Sequence, residues 1–206
     1  MEQERQYHHG NLADDILARA AEIIAEEGIE ALTLRGIARD LGVSHGAPNR
    51  HFRNKAALLS ALAREGWKEV REATLGAAEE TGSDDPYVRL NAMGRGFLGW
   101  SLAHPALFRA LTHPDVARFG EDDLNKATED FQQTIKDAVA ATQAAGRHPD
   151  VPLDILSLYT NAVPFGAAMA MINPVAATTA DNLKGHDLEI MIAKLIELVV
   201  PIAGRR

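Results

Sequence analysis

A chain of 206 residues with 46% apolar and 24% charged side chains can bury a core in one or two domains, which excludes disorder along most of its length. Its formal net charge of −8 excludes indiscriminate binding to nucleic acid, and the absence of cysteine excludes disulfides, thiolate metal sites and thiol nucleophiles. With only 5% aromatics, abundant Ala and Leu and few β-branched runs, the chain is expected to be all-α.

From Leu12 the apolar positions Leu12, Ile16, Ala20, Ile23 and Ile24 recur with helical period, and Gly28 stands where a left-handed C-cap would end a first helix. Thr33 offers a hydroxyl N-cap to a second, short helix whose stripe is Leu34, Ile37, Ala38 and Leu41. Gly42 stops it, Val43 can pack down inside the turn, and Ser44 is read as the N-cap of a third short helix ending near Phe52. Pro48 would then stand inside that helix without a backbone donor, so the helix is expected to start a residue or two later. Asn54 caps a fourth helix, whose stripe Leu59, Leu62, Ala63, Gly66, Trp67, Val70, Thr74 and Ala77 is long enough to cross a domain and leave it. A short helix, a glycine turn and a second short helix, braced by longer helices, form a helix-turn-helix arrangement. Its second helix enters the major groove.

Between Arg35 and Lys55 five basic residues (Arg35, Arg39, Arg50, Arg53 and Lys55) face one acid, Asp40, a local balance of +4 in an acidic chain. Ser44, His45, Asn49, Arg50 and His51 have hydrogen-bonding side chains of lengths that reach base edges and phosphates. Gly46 and Ala47 are small enough for close approach to a duplex. Thr33 and Lys55 sit at helix amino ends, where free N–H groups and the dipole favour phosphate. Thr33, Arg35, Ser44, His45, Gly46, Pro48, Asn49, Arg50, His51 and Lys55 are therefore the candidate DNA-facing residues. Thr33, Ser44 and Asn54 can equally serve as caps alone, and Phe52 is read as core. Tyr7, His8, His9 and Gly10 either form an arm for the adjacent minor groove or are disordered in the free protein. No third ligand stands near the two histidines, so no metal site is expected.

The stretch from about Asn11 to Leu59, above all LTLRGIARDLGVSHGAPNRHFRNKAALL, resembles the DNA-binding domain of the TetR family of bacterial transcriptional regulators. Thr33, Ile37-Ala38, Leu41-Gly42-Val43-Ser44, His51-Phe52, Lys55 and Leu58-Leu59 stand at the family's spacing. Asn49 departs from it, occupying the place of a phosphate-contacting Tyr.

TGSDDP at residues 81–86 reads as a break, with Pro86 in the first turn of a fifth helix. The expected division is a helix-turn-helix domain over residues 1–60, its fourth helix continuing to about 80, and a helical ligand-binding and dimerisation domain over 82–206. Residues 72–206 carry 11 basic and 18 acidic side chains, a net −7, which suits no polyanion. Helices are expected at about 86–103, 105–112, 120–145, 151–172 and 185–203, with a loop from Pro174 to Gly185. The segment SLAHPALFRAL resembles the corresponding turn of a TetR-family C-terminal subclass, and of that subclass's later residues NAVPFGAAMAM keeps only Gly166.

Met93, Phe97, Trp100, Phe108, Tyr159, Phe165 and Met169 supply large apolar groups suited either to a ligand cavity or to ordinary core. Tyr159 to Met171 is nearly free of charge, and Leu188, Met191, Ile192, Leu195, Ile196 and Val199 cover more than one face of the last helix. That excess predicts a two-fold homodimer in which the last two helices pair into a four-helix bundle.

No run of roughly 18 to 20 uncharged apolar residues is read in the chain, and its start lacks the basic-then-apolar layout of a secretion signal, so no membrane contact and a cytoplasmic location are expected. No catalytic triad order, phosphate loop or HExxH pattern is present. The expectation is a non-enzymatic dimeric regulator of transcription without a cofactor. The resemblance implies repression, with double-stranded DNA and a small-molecule effector as partners and coupling through the fourth helix. The alternative is a helical interaction or ligand-binding module that has lost specific DNA binding.

Overall fold

The computed structural model describes residues 12–119, 122–172 and 187–199, and among these every regular element is helical. The expected arm at Tyr7 to Gly10, the loop from Pro174 to Gly185 and the end of the final helix beyond Val199 lie outside the described residues. The helices are α1 (Leu12–Glu26), α2 (Leu34–Asp40), α3 (Ala47–His51), α4 (Lys55–Glu80), α5 (Pro86–Ala103), α6 (Pro105–Leu111), α7 (Pro114–Phe119), α8 (Asp122–Ala144), α9 (Leu153–Ile172) and α10 (Leu188–Val199).

They fall into two compact units. The first holds α1 to α3, α4 as far as Glu65, α6 and α7; the second holds α4 from Gly66, α5, α8, α9 and α10. This division differs from the expected one in a specific way: residues 106–121 follow α5 in sequence but cluster with the first unit. Within that unit Phe108 is buried to 1% exposure, and Arg109 Nη1 donates to Ile24 O at 3.2 Å, meeting a carbonyl near the end of α1.

In the first unit the apolar stripe Ile16, Ala20, Ile23 and Ile24 is buried along α1. Gly28, at φ +89° and ψ 168°, has a positive φ that suits glycine but not the expected left-handed helical C-cap, and it stands at the start of the turn that follows α1. A 3-10 turn at Ile29–Ala31 and the buried Leu32 lead into Thr33, whose Oγ1 accepts from Gly36 N at 3.0 Å. Helix α2 ends in a Schellman motif: Val43 N donates to Ala38 O at 3.0 Å and Gly42 N to Arg39 O at 3.1 Å, with Gly42 at φ +67°. Helix α3 begins at Ala47 with Gly46 as its N-cap, two residues after Ser44, the later start expected from Pro48. Pro48 consequently lies in the first turn, where its missing N–H interrupts no helical bond. Asn54 Oδ1 accepts from Ala57 N at 2.8 Å and starts α4.

In the second unit α5 is the central element, packing on α8, α9 and α10. Its side chains are buried on several sides, Leu90, Met93, Leu98 and Trp100 among them. A Cβ at Gly96 would stand 2.6 Å from Ala73 O and 2.8 Å from Ala77 Cβ, so the glycine is what permits α4 and α5 to approach so closely. Asp85 caps α5 by accepting from Tyr87 N at 2.8 Å, with Pro86 beside it as expected. Along α8 the residues Leu124, Phe131, Ile135 and Val139 form the buried stripe. The region expected as one helix at 120–145 is preceded by the separate short helix α7, which the proline after His113 starts.

Helix α9 corrects one expectation. Over Leu153–Ile172 it is long and apolar enough to cross a membrane by length and composition, although only 28% of its apolar window is buried within the chain. Read residue by residue, Ser157, Thr160, Asn161 and Pro164 break the run. Averaged over 18 residues, they do not.

Candidate nucleic-acid interface

The turn between α2 and α3 and the short length of α3 set which side chains face outward. Pro48 and Phe52 point into the first unit and are buried, and Asn49, Arg50 and His51 are exposed in succession. Thr33, Arg35, Ser44, His45 and Gly46 are exposed as well, and Lys55 is half-buried at the first position of α4. The structure therefore brings the candidate residues onto one helix-turn-helix element, with Pro48 the exception: it serves the fold of α3 and is not available at the surface.

The charges here have unequal freedom. Asp40 accepts from Arg19 Nε and Nη2 at 3.1 and 3.0 Å and from Arg39 Nε and Nη2 at 3.3 and 3.2 Å, and Arg19 also meets Glu22 at 2.8 Å. The Arg19 hydrogen bonds, seconded by those of Arg39, hold the Asp40 carboxyl below its ordinary range. Arg39 is thus partly neutralised at home. Lys55 Nζ lies 4.0 Å from the carboxylate of the exposed Glu30, a loose pair in water. The side chains of Arg35, His45, Asn49, Arg50 and Arg53 make no hydrogen bond or ion pair among the described residues and are exposed. A surface of unpaired cations and amides flanked by helix amino ends has the donor set that binds phosphates and base edges. The pairing of Arg39 with Asp40 and the nearness of Glu30 to Lys55 were not read from the sequence. Adjacency of Arg39 and Asp40 was the available signal for the first; nothing local marked the second.

Of the seven residues considered for a ligand cavity, three stand on α5 and three on α9 in the second unit, and one on α6 in the first. Met93, Phe97 and Trp100 are buried on α5, with Phe97 near Phe131 of α8 at 6.0 Å between ring centroids, and Phe131 near Trp67 of α4 at 5.3 Å. Trp100 Nε1 donates to Glu69 Oε2 at 3.2 Å and its ring stacks on His104 at 5.1 Å. Met169 is half-buried on α9. Phe108 is core of the first unit, while Tyr159 and Phe165 stand outward on α9, at 52% and 41% exposure. Trp67 and Phe131, both on regular apolar stripes, were not among the residues considered. Among the described residues no group of three or more His, Asp or Glu side chains is placed to hold a metal ion.

Comparison with known proteins agrees with this architecture. The family model described as bacterial regulatory proteins of the tetR family matches residues 16–62, and a tetracyclin repressor-like C-terminal domain model matches residues 90–182. The HTH-type transcriptional repressor AcnR of Corynebacterium diphtheriae is 30% identical over 154 residues, which cover 72% of this chain and 75% of that repressor. The class D tetracycline repressor protein of Escherichia coli is 38% identical over 80 residues, and there the chain spans only 36% of the relative's length. A solved structure from Rhodococcus sp. RHA1, described as a protein of unknown function, superposes with a TM-score of 0.74 at 28% identity, covering 95% of this chain and 97% of that one. With a helix-turn-helix unit and an all-helical second unit matched along most of its length, the chain belongs to the TetR family of bacterial regulatory proteins.

Proposed function

We propose that the chain is a cytoplasmic transcriptional repressor that binds a palindromic operator as a two-fold dimer and releases it when a small molecule binds the second unit. The observation that carries this reading is the exposed, unpartnered group Arg35, His45, Asn49, Arg50 and Arg53 on the helix-turn-helix element, in a chain that is otherwise acidic. Two such elements related by a two-fold axis read major-groove faces about 34 to 36 Å apart.

Support for the dimer comes from α9 and α10. Ile155, Leu158 and Tyr159 are 60%, 69% and 52% exposed, and Leu188, Ile190 and Leu198 are 47%, 63% and 76% exposed. Apolar side chains gathered in this way on two adjoining helices call for a covering surface, and a second copy of the same helices is self-complementary. The apolar stretch of α9 is assigned to this contact, not to a membrane. For the effector, the aromatic group of Phe97, Phe131 and the half-buried Trp67, with Met93 and Trp100 on the same helix as Phe97, favours a largely apolar molecule. Coupling is assigned to α4, which belongs to both units, and to α6, which joins the first unit directly after α5. An effector shifts the operator equilibrium only by binding one arrangement better than the other.

Selection of fragments from random double-stranded DNA tests the reading. The purified chain should enrich a palindrome, and its binding should weaken steeply with salt. Arg50→Ala should then cost roughly 1 to 3 kcal/mol of specific binding, and Lys55→Ala should weaken all sequences alike. Enrichment of no sequence would leave the chain a helical interaction module. A monomer by light scattering at micromolar concentration would remove the dimer.

A further inference from the structure

We propose that Asn49 reads an A·T base pair in the operator half-site, and that Gly46 is the clearance that lets it reach. The inference rests on the operator-binding reading above. The first unit has four glycines from Gly28 through Gly46, and three are explained among the described residues. Gly28 and Gly42 have φ of +89° and +67°, and a Cβ at Gly36 would stand 2.9 Å from Thr33 Oγ1. Gly46 is different: its φ is −86°, open to any residue, and a Cβ there would meet nothing within 4 Å. It is also the N-cap of α3 and makes no side-chain cap bond, although Ser or Asn at that place would supply one. None of the described residues requires a bare backbone there, so the requirement is assigned to what approaches from outside.

Asn49 stands one helical turn beyond Gly46. Side chains on a helix lean toward its amino end, so the amide of Asn49 overlies the surface that Gly46 leaves open. It is exposed and makes no hydrogen bond among the described residues. Its single methylene keeps the amide near the helix axis, so it meets a base edge only if the backbone itself comes close. Carrying one acceptor and two donors, the amide matches adenine N6 and N7 in the major groove, where Arg50 beside it, donor-only, does not. A phosphate needs neither the amide nor the clearance, because Arg35, Arg53 and Lys55 already offer charge nearby, and charge binds phosphate better than a neutral group.

The test uses the full chain and the site it selects from random DNA, with each base pair of one half-site replaced in turn. For the unaltered protein, replacement of one particular A·T pair should weaken binding roughly 5- to 150-fold. Asn49→Ala should erase the preference at that pair and leave the others and the salt dependence intact. Gly46→Ala should weaken binding to the whole site while helical circular dichroism stays unchanged. A uniform loss in Asn49→Ala with every base preference kept would overturn the base-reading role, as would unaltered affinity in Gly46→Ala for the clearance. If the unaltered protein selects no sequence, the operator-binding reading itself falls and this inference with it.

Discussion

Among the exposed side chains without partners in the unit built on α1 to α3 is a cationic and hydrogen-bonding group that includes Arg35, Asn49 and Arg50. Among those of the unit built on α5, α9 and α10 are large apolar side chains, with Leu158 and Leu198 69% and 76% exposed. The contrast shows what each surface lacks. A cationic, hydrogen-bonding surface is completed by a polyanion, whereas an apolar one is completed by another protein surface that excludes water. One chain of net charge −8 keeps these functions apart by confining its local excess of positive charge to residues 35–55.

The largest test of the contrast concerns where one unit ends. Phe108 is 1% exposed and lies in a segment that clusters with the first unit. Phe108→Ala should cost about 3 to 5 kcal/mol by urea unfolding, and native-state hydrogen exchange should show the loss of protection in α1 and α6. Loss concentrated in α9 and α10 would move the segment to the other unit. Next in size is a pair of changes on α5. Gly96→Ala drives a Cβ against Ala73 O and should destabilise by about 1 to 3 kcal/mol. Gly99→Ala, whose Cβ would meet nothing within 4 Å, should stabilise by roughly 0.5 to 1 kcal/mol. Equal effects at both positions would mean that the close approach of α4 and α5 is not what Gly96 provides.

A smaller effect belongs to the helix start beside the DNA-facing surface. Asn54→Ala removes the bond to Ala57 N and should cost about 1 kcal/mol, read as a lowered urea midpoint. The smallest concerns the brace of Arg19 on Asp40. Because the folded Asp40 carboxyl titrates below its ordinary range, its contribution is complete above about pH 4 and fades as the pH falls through the lowered value. Asp40→Asn should therefore be less stable than the unaltered chain at neutral pH, and the difference should close in acid. A difference that persists at the acid end would assign the loss to packing.

Much of the first unit was legible because its signals are local. Thr33, Gly42 and Asn54 do what their chemistry and spacing predict, each within four residues of its partner. Ser44 offered one start to α3, and Pro48, which cannot stand inside the helix, already pointed to the later start at Ala47 that the structure has. In the second unit the helix spans were legible, but the faces were less so. The apolar side chains of α9 look alike in sequence, yet Ala168 is fully buried and Leu158 is mostly exposed.

By itself the sequence determined the helical class, most of the helix spans, the helix-turn-helix spacing and the segregation of charge. Helical period and capping act over a single turn, so the residues that cause them are neighbours in the chain. Only the tertiary structure decided that α6 joins the first unit, that Arg109 meets a carbonyl 85 positions earlier, and which glycine separates two helices. Burial and close approach are properties of segments far apart in sequence, and no local pattern encodes which of them will meet.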